Sequence, residues 1–108
     1  MATIEDFQKL DIRVGKILEV EDIPEARNPM YKLKVDFGEL GIKQCVAGIK
    51  PWYEKEELLN RKAVFVINFE PKKIANVTSE CMVLTAEKDD KVFILLPEKD
   101  IEVGAKIR

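Results

Sequence analysis

The sequence has no histidine, the residue that most often serves as a general base or a metal ligand, and it has only two cysteines. Two cysteines without a histidine do not form a zinc site. No glycine-rich phosphate loop, nucleophilic serine motif or paired-carboxylate signature occurs. These absences argue against the common enzyme classes. We expect a protein without catalytic activity that needs no cofactor or metal.

The chain also lacks an apolar run long enough to span a membrane. Its first residues do not show the charged stretch followed by an apolar one that marks a secretory signal. With 108 residues, 46% of them hydrophobic and 35% charged, it matches one folded domain that covers residues 1–108. We therefore expect a cytoplasmic protein with no membrane partner.

The net charge of −2 is not the strong basic excess of a typical nucleic-acid-binding domain. The basic residues are unevenly distributed, however. Between residues 61 and 76, four basic side chains occur with a single acidic one; they are Arg61, Lys62, Lys72 and Lys73. Any nucleic-acid site would therefore be local, with few phosphate contacts and modest affinity.

A short helix is predicted at the N-terminus, because Thr3 is a good capping residue and two acidic residues follow it in the first turn. Ile4, Phe7 and Leu10 fall on one side of this helix and form an apolar stripe. So short a stripe needs a surface to pack on. That surface is either the domain's own core or a second subunit.

Three strands are predicted in the first half of the chain. Residues 31–38 alternate most clearly between apolar and charged side chains, which indicates one buried and one solvated face. Residues 11–23 alternate too, but Gly15 interrupts the pattern and suggests a bulge or a sharp bend. Residues 42–49 form the third strand.

The second half begins with a short helix, predicted within residues 52–60, whose Leu58 and Leu59 are expected to cover one end of a barrel. Two apolar strands follow at residues 63–69 and 81–86, and further strand material comes after them. Three strands, one helix and two strands, in that order, fit an all-β fold. We predict a five-stranded Greek-key barrel of the OB type.

A loop predicted between the last two barrel strands carries the adjacent residues Lys72 and Lys73. Loops held by a rigid scaffold often carry binding residues. Arg27 lies in a loop bounded by prolines, and Lys32 and Lys34 lie on the solvated face of the second strand. These three would extend a basic surface. For all five residues, the alternative is an ordinary solvated side chain that contacts no ligand.

Cys45 and Cys81 each lie within an apolar, strand-like run. This setting predicts buried free thiols without a functional role. The pattern does not decide whether the two residues are neighbours in space.

Several segments, taken together, resemble the tRNA-binding domain family. They are DFQKLDIRVGKILEVEDIPEA (6–26), YKLKVDFG (31–38), VAGI (46–49), EELLNRKAVFVINFEPKKIANVTSECMVLTA (56–86) and VGAKIR (103–108). The family includes the C-terminal dimerisation domain of methionyl-tRNA synthetases, free-standing tRNA-binding proteins and CsaA-like export chaperones. The segment IPEARNPMYKLKVDFG, followed by GIKQ, is most similar to the CsaA type.

The resemblance implies an OB fold, a homodimer formed through the terminal elements, and a tRNA-binding surface around Lys72 and Lys73. It also implies a contact from Ser79, because members that bind tRNA often read S-x-G-M at the fifth strand. Here the run is Ser79-Glu80-Cys81-Met82, with cysteine in the place of glycine, and Asn76 stands where the family often has another glycine. The CsaA type implies an alternative ligand, an unfolded or precursor polypeptide held in an apolar pocket. A purely structural dimerisation module is the third hypothesis.

Overall fold

The fold is built on a five-stranded antiparallel sheet that curls into a nearly closed barrel of the OB type. The computed structural model describes all 108 residues. In chain order its elements are α1 (Ile4–Gln8), β1 (Ile12–Asp22), β2 (Tyr31–Asp36), a 3-10 turn (Gly38–Leu40), β3 (Ile42–Ala47), α2 (Lys55–Leu58), β4 (Lys62–Val66), β5 (Lys72–Ile74), β6 (Val77–Ser79), β7 (Met82–Val83), β8 (Thr85–Lys88) and β9 (Lys91–Ile94). The strand order in the barrel sheet is β3-β2-β1-β4-β7. The predicted fold is confirmed.

Two connections differ from the prediction. Residues 81–86 do not form one strand, because β7 leaves the barrel after Val83 and β8 pairs with β9 in a separate hairpin. Asp89 and Asp90 both have positive φ, of 53° and 62°, which is typical of a tight type I′ hairpin turn. The prediction of a loop around Lys72 and Lys73 is also wrong, because these residues belong to β5, which pairs with β6.

The alternating residues of β2 place large apolar side chains inside the barrel. Tyr31, Leu33 and Val35 of the strand are buried, as is Phe37 just after it, and the residues between them are half-exposed. The ring of Phe37 meets that of Phe65 from β4 edge to face, with 5.4 Å between the ring centroids. Such aromatic pairs add stability beyond the area that they bury. Every second residue of β2 is thereby fixed to the inside.

Gly15 does not form the predicted bulge. It pairs regularly with Ala63, and the register of β1 against β2 shifts further along, between Ile17 and Glu19. The glycine is required for a different reason. A Cβ atom at this position would lie 2.5 Å from both Phe37 Cε1 and Val35 Cγ1. The core packs directly against the bare backbone of β1.

Strand β4 is apolar on both faces, and each face has its own cluster. Phe65 belongs to the main core inside the barrel, whereas Val64 and Val66 form a second cluster with Ile12. Leu10, Leu84 and Ile107 are only partly buried and pack on that second cluster. At β1 and β4 the outer face of the barrel is therefore covered by one thin apolar layer.

Helix α1 begins as predicted at Thr3, whose hydroxyl accepts a hydrogen bond from the backbone N–H of Asp6, 3.2 Å away. The Asp6 carboxylate accepts one from the backbone N–H of Thr3 in return, at 2.9 Å. No residue of the helix is buried on its own chain. Ile4 and Phe7 remain 65% and 37% exposed.

One end of the barrel is closed by α2 and by the aromatic residues before it. Leu58 is fully buried, as predicted, but Leu59 is exposed, because the helix ends at Leu58 and Leu59 is already extended. The indole N–H of Trp52 donates to the carbonyl oxygen of Asp90, 2.8 Å away, and the Tyr53 hydroxyl accepts from the backbone N–H of Ile94 at 3.0 Å. None of the helices has the length and apolar character that crossing a membrane would need.

Candidate nucleic-acid interface

The β5–β6 hairpin holds Lys72 and Lys73 away from the barrel. Both lysines are exposed, and they pair in register with Ser79 and Thr78. Only two residues connect the strands, and the residue with positive φ is Ala75, at 56°, rather than Asn76. Because its strands are only three residues long, the hairpin needs attachments elsewhere to keep its position.

Those attachments run to the edge strand β3. The Ser79 hydroxyl accepts a hydrogen bond from the backbone N–H of Val46 at 3.0 Å and donates to the carbonyl oxygen of Cys81 at 3.2 Å. Gln44 donates its side-chain amide to the carbonyl oxygen of Thr78 at 3.0 Å. The Glu80 backbone N–H donates to the carbonyl oxygen of Gln44 at 2.7 Å. These bonds fix the hairpin to the barrel.

The two lysines of the hairpin point in opposite directions, since neighbouring side chains of a strand lie on opposite faces. Lys72, Ile74 and Ser79 line a cleft between the hairpin and the barrel, and Lys73 does not. Lys73 therefore lies on the outer face of the hairpin. The two charges form a pair in the sequence but two separate contact points in the structure.

The cleft beside the hairpin has a volume of about 470 Å³. Apolar side chains supply much of its wall; they are Met30, Val46, Phe69, Ile74, Cys81 and Met82. Phe69 and Met82 are 46% and 43% exposed and lie together in this wall, so they form an exposed apolar patch. Lys72, Glu70 and Glu80 supply charges. The sequence reasoning missed this cleft because its residues come from four separate segments.

The other predicted basic residues lie near the same side of the barrel. Lys32 is opposite Val46 in the β2–β3 register, and Val46 lines the cleft. Lys34 is the next residue on that solvated face, opposite Gln44. Arg27 is exposed in the loop that leads to Met30, another lining residue. The structure thus groups Lys32 and Lys34 with Lys72, whereas Arg27 extends from the neighbouring loop.

Some basic side chains near the cleft already form ion pairs with carboxylates, and others do not. Lys32 lies 3.5 Å from the Glu21 carboxylate. Lys50 and Lys55 both hold Asp22, at 2.9 and 3.0 Å, and their hydrogen bonds lower the pKa of this carboxyl group. Arg27, Lys34, Lys72 and Lys73 form no ion pair within 4.0 Å. These four basic side chains are free to meet an anionic ligand.

Ser79 helps to attach the hairpin to the barrel. Its hydroxyl donates a hydrogen bond to the carbonyl oxygen of Cys81 and accepts one from the backbone N–H of Val46. It is half-buried beside the cleft. A contact from Ser79 to RNA stays a prediction, and the hydroxyl has one acceptor lone pair left for it.

Cys45 and Cys81 are buried and free, as predicted, and they are also neighbours. They form a parallel bridge between β3 and the residue before β7, and both side chains lie in the main core. The neighbouring Cys81 thiol, together with burial, raises the pKa of Cys45 well above its ordinary value.

We expect both thiols of the native protein to react slowly with a bulky maleimide, because Cys45 and Cys81 are 0% and 5% exposed and the packed core leaves no room for a reagent of that size. Labelling followed by mass spectrometry checks this. The urea-unfolded chain serves as the control and should be labelled quickly at both positions. Equally fast labelling of the native protein would contradict the prediction.

Comparison with known proteins assigns the chain to a family. Residues 12–106 match the family described as "Putative tRNA binding domain". The chain belongs to this tRNA-binding domain family. Among its relatives is a methionine–tRNA ligase of Pyrococcus furiosus, 48% identical over 106 residues. That match covers 98% of this chain and 14% of the ligase, so the domain spans a small part of the curated relatives it matches.

Two solved structures resemble the domain over its whole length. The CsaA chaperone protein of Picrophilus torridus has a TM-score of 0.94 at 50% identity and covers 100% of both chains. A MetRS-related protein of Pyrococcus horikoshii has a TM-score of 0.91 at 33% identity, covering 100% of this chain and 98% of the other. The resemblance stated from the sequence is confirmed, including both the synthetase-related and the CsaA types.

Proposed function

We propose that the domain is a non-catalytic tRNA-binding module that contacts folded RNA through basic side chains around the hairpin. The observation that carries this proposal is the position of Lys72 and Lys73 on a hairpin that is fixed to the barrel and has no acidic partner for either charge. Membership of the family supports the choice of ligand. With tRNA as its ligand, the protein would work in the cytoplasm.

The proposed contacts are to phosphates. Lys72 stands on the cleft side with Lys32 and Lys34, and Lys73 reaches RNA from the outer face of the hairpin. Arg27 and Ser79 lie at the margins of this surface. Phosphate contacts position an RNA without reading its sequence, so recognition would rest on the shape of the folded tRNA. Because the contacts are to phosphates, binding should weaken as salt rises.

We further propose that the module is a homodimer. The apolar side of α1 finds no cover on its own chain, since Ile4 and Phe7 stay exposed. Leu10, the third residue of the predicted stripe, packs instead on the outer cluster with Leu84 and Ile107. The exposed stripe and this thin outer layer adjoin through Leu10. A second copy that presents the same stripe would cover both.

Replacing Ile4 and Phe7 together with aspartate is expected to weaken dimerisation by at least about 100-fold, because burying such side chains contributes roughly 1.5–3 kcal/mol each. Sedimentation equilibrium across the micromolar range measures this. Lys9→Asp, at the end of the same helix and on the side away from the stripe, is the matched control and should leave the dimer intact, since the Lys9 side chain is 78% exposed. A wild-type protein that stays monomeric throughout that range would exclude the dimer.

A second candidate function is supported by the cleft. Its exposed Phe69 and Met82 resemble a surface that takes up apolar side chains of an unfolded or precursor polypeptide. The similarity to CsaA chaperone proteins supports this alternative. Peptide binding would be driven by apolar burial and would change little with salt.

One experiment separates the candidates. The purified protein is titrated with total tRNA and, separately, with a permanently unfolded protein, at roughly 50 and 200 mM salt. Binding of tRNA that falls steeply between the two salt concentrations supports the tRNA-binding module. Salt-insensitive binding of the unfolded chain alone supports the chaperone function instead. A dimer that binds neither ligand would leave only a structural dimerisation module.

A further inference from the structure

Cys45 and Cys81 occupy a position that the tRNA-binding proposal does not use. They are the only cysteines of the chain, and they form the bridge at which the two edges of the barrel meet. Adjacent strands run about 4.8 Å apart, and a disulfide accepts Cα separations of roughly 4.4–6.8 Å. Paired residues of neighbouring strands direct their side chains to the same face. Both side chains lie in the main core, and the bridge makes the two residues direct neighbours.

The two thiols differ in their access to solvent. Cys81 forms part of the wall of the cleft beside the hairpin, whereas Cys45 is fully buried behind it. A small molecule in the cleft is therefore closer to Cys81, which is 5% exposed, than to Cys45, which is 0% exposed. This resembles the arrangement of redox-active pairs, in which an accessible cysteine reacts first and a neighbour resolves the product.

We propose that Cys45 and Cys81 form an oxidisable dithiol site that a peroxide entering the cleft converts to an intramolecular disulfide. Cys81 releases its proton to solvent, and its sulfur attacks one peroxide oxygen. The O–O bond breaks and hydroxide leaves, which gives a sulfenic acid at Cys81. The sulfur of Cys45 then attacks the sulfur of Cys81, the S–O bond breaks, and water leaves with the proton of Cys45. The two thiols lose two electrons in total, and hydrogen peroxide is reduced to two water molecules.

The order of these steps follows from the surroundings of Cys45. Its raised pKa keeps it protonated in the closed core, so it does not attack peroxide first. The disulfide would link Cys45 of β3 to Cys81, which lies two residues after the end of β6. Ser79, at the end of the hairpin, already donates to the carbonyl oxygen of Cys81. The disulfide would therefore add a covalent link to the hydrogen bonds that already fix the hairpin to the barrel.

Hydrogen peroxide added to the folded wild-type protein tests the proposal. Intact-mass measurement should show the loss of two hydrogen atoms, and digestion without reductant should link the peptides that contain Cys45 and Cys81. The thermal midpoint should rise by roughly 10 °C and return after reduction, because the disulfide closes a loop of intermediate length. Persistence of both free thiols, under conditions in which the urea-unfolded chain is oxidised, would overturn the proposal. A linked form with a lower midpoint would overturn it too.

Two variants test the proposed roles, with circular dichroism to check folding. Cys45→Ala should stop at the sulfenic acid of Cys81, which dimedone traps. Cys81→Ala should give no dimedone adduct, since Cys45 is screened from the cleft. A dimedone adduct on Cys45 in the second variant, or disulfides only between chains in the wild type, would contradict the assignment. The mass of the wild-type protein decides the proposal even if a variant does not fold.

Discussion

Replacing Gly15 with alanine is expected to lower the free energy of unfolding by roughly 1–3 kcal/mol. The added Cβ atom would lie 2.5 Å from Phe37 Cε1 and from Val35 Cγ1, closer than real Cβ atoms approach other atoms. Phe37 and Val35 are fully buried, so neither can move aside into solvent. Urea unfolding measures the change. The thermal midpoint should also fall by several degrees.

Gly48→Ala is the matched control. No atom lies within 4 Å of a Cβ built at Gly48, and its φ is not in the left-handed region. This variant should be as stable as the wild type or slightly more stable, because alanine reduces the freedom of the unfolded chain. If both glycine variants unfold at the same urea concentration as the wild type, close packing on β1 is not what Gly15 provides.

A double-mutant cycle sharpens this test. Val35→Ala removes one of the three atoms that the new methyl group would strike. Its cost in the Gly15→Ala background should therefore be smaller than its cost in the wild type, where it only leaves a cavity. Simple additivity of the two costs would show that the clash is relieved elsewhere in the core.

The parts of the fold that follow a strong local pattern could be predicted from the sequence. Strand β2 alternates without interruption, and its buried residues are those the pattern indicates. The capping residue Thr3 likewise marks the start of α1. Gly15 shows the limit of such reasoning. The sequence reveals a break in alternation, but the reason for it is a side chain on β2, and no local pattern records that contact.

The β5–β6 hairpin could not be predicted from local sequence patterns either. Strands β5 and β6 have three residues each, too few to establish a period. The hairpin is held by bonds to Gln44 and Val46, more than thirty positions earlier in the chain. The sequence could mark Lys72 and Lys73 as a basic pair, but it could not show that they lie on opposite faces. The cleft residues Met30, Phe69 and Met82 become neighbours only after the barrel has formed.

Replacing Lys72 and Lys73 together with alanine is expected to weaken binding to all tRNAs alike, by roughly tenfold or more. Each lost phosphate contact removes about one released counterion, so the log–log salt slope should also become shallower by roughly one to two units. Binding isotherms at several salt concentrations measure both effects. Stability should change by less than about 0.5 kcal/mol, because both side chains are exposed.

The geometry also predicts that the two lysines contribute separately. Lys72 lies on the cleft side with Lys32 and Lys34, whereas Lys73 is alone on the outer face of the hairpin. We expect Lys72→Ala to weaken binding more than Lys73→Ala, because Lys32 and Lys34 add to the attraction of a phosphate near Lys72, and Glu70 and Glu80 of the cleft offset only part of it. Equal losses from the two single variants would show that the RNA follows the tip of the hairpin rather than the cleft.

The β8–β9 hairpin supplies a matched control for net charge. Lys88 and Lys91 are exposed and pair with each other in register, and neither lines the cleft. Replacing both with alanine changes the total charge as much as the Lys72 and Lys73 variant does. If binding depends on specific contacts, this control should retain most of the affinity and the salt slope. Equal losses in the two double variants would instead indicate non-specific attraction to the whole chain.

Peptide binding gives the opposite expectation in the same set of variants. An unfolded chain held by Phe69 and Met82 should bind the Lys72 and Lys73 double variant as well as it binds the wild type, with little dependence on salt. If the double variant instead binds tRNA with unchanged affinity and an unchanged salt slope, the hairpin is not the RNA site. Of the predicted contact residues, Arg27 and Lys34 would then remain without an ion pair as candidates to hold the RNA.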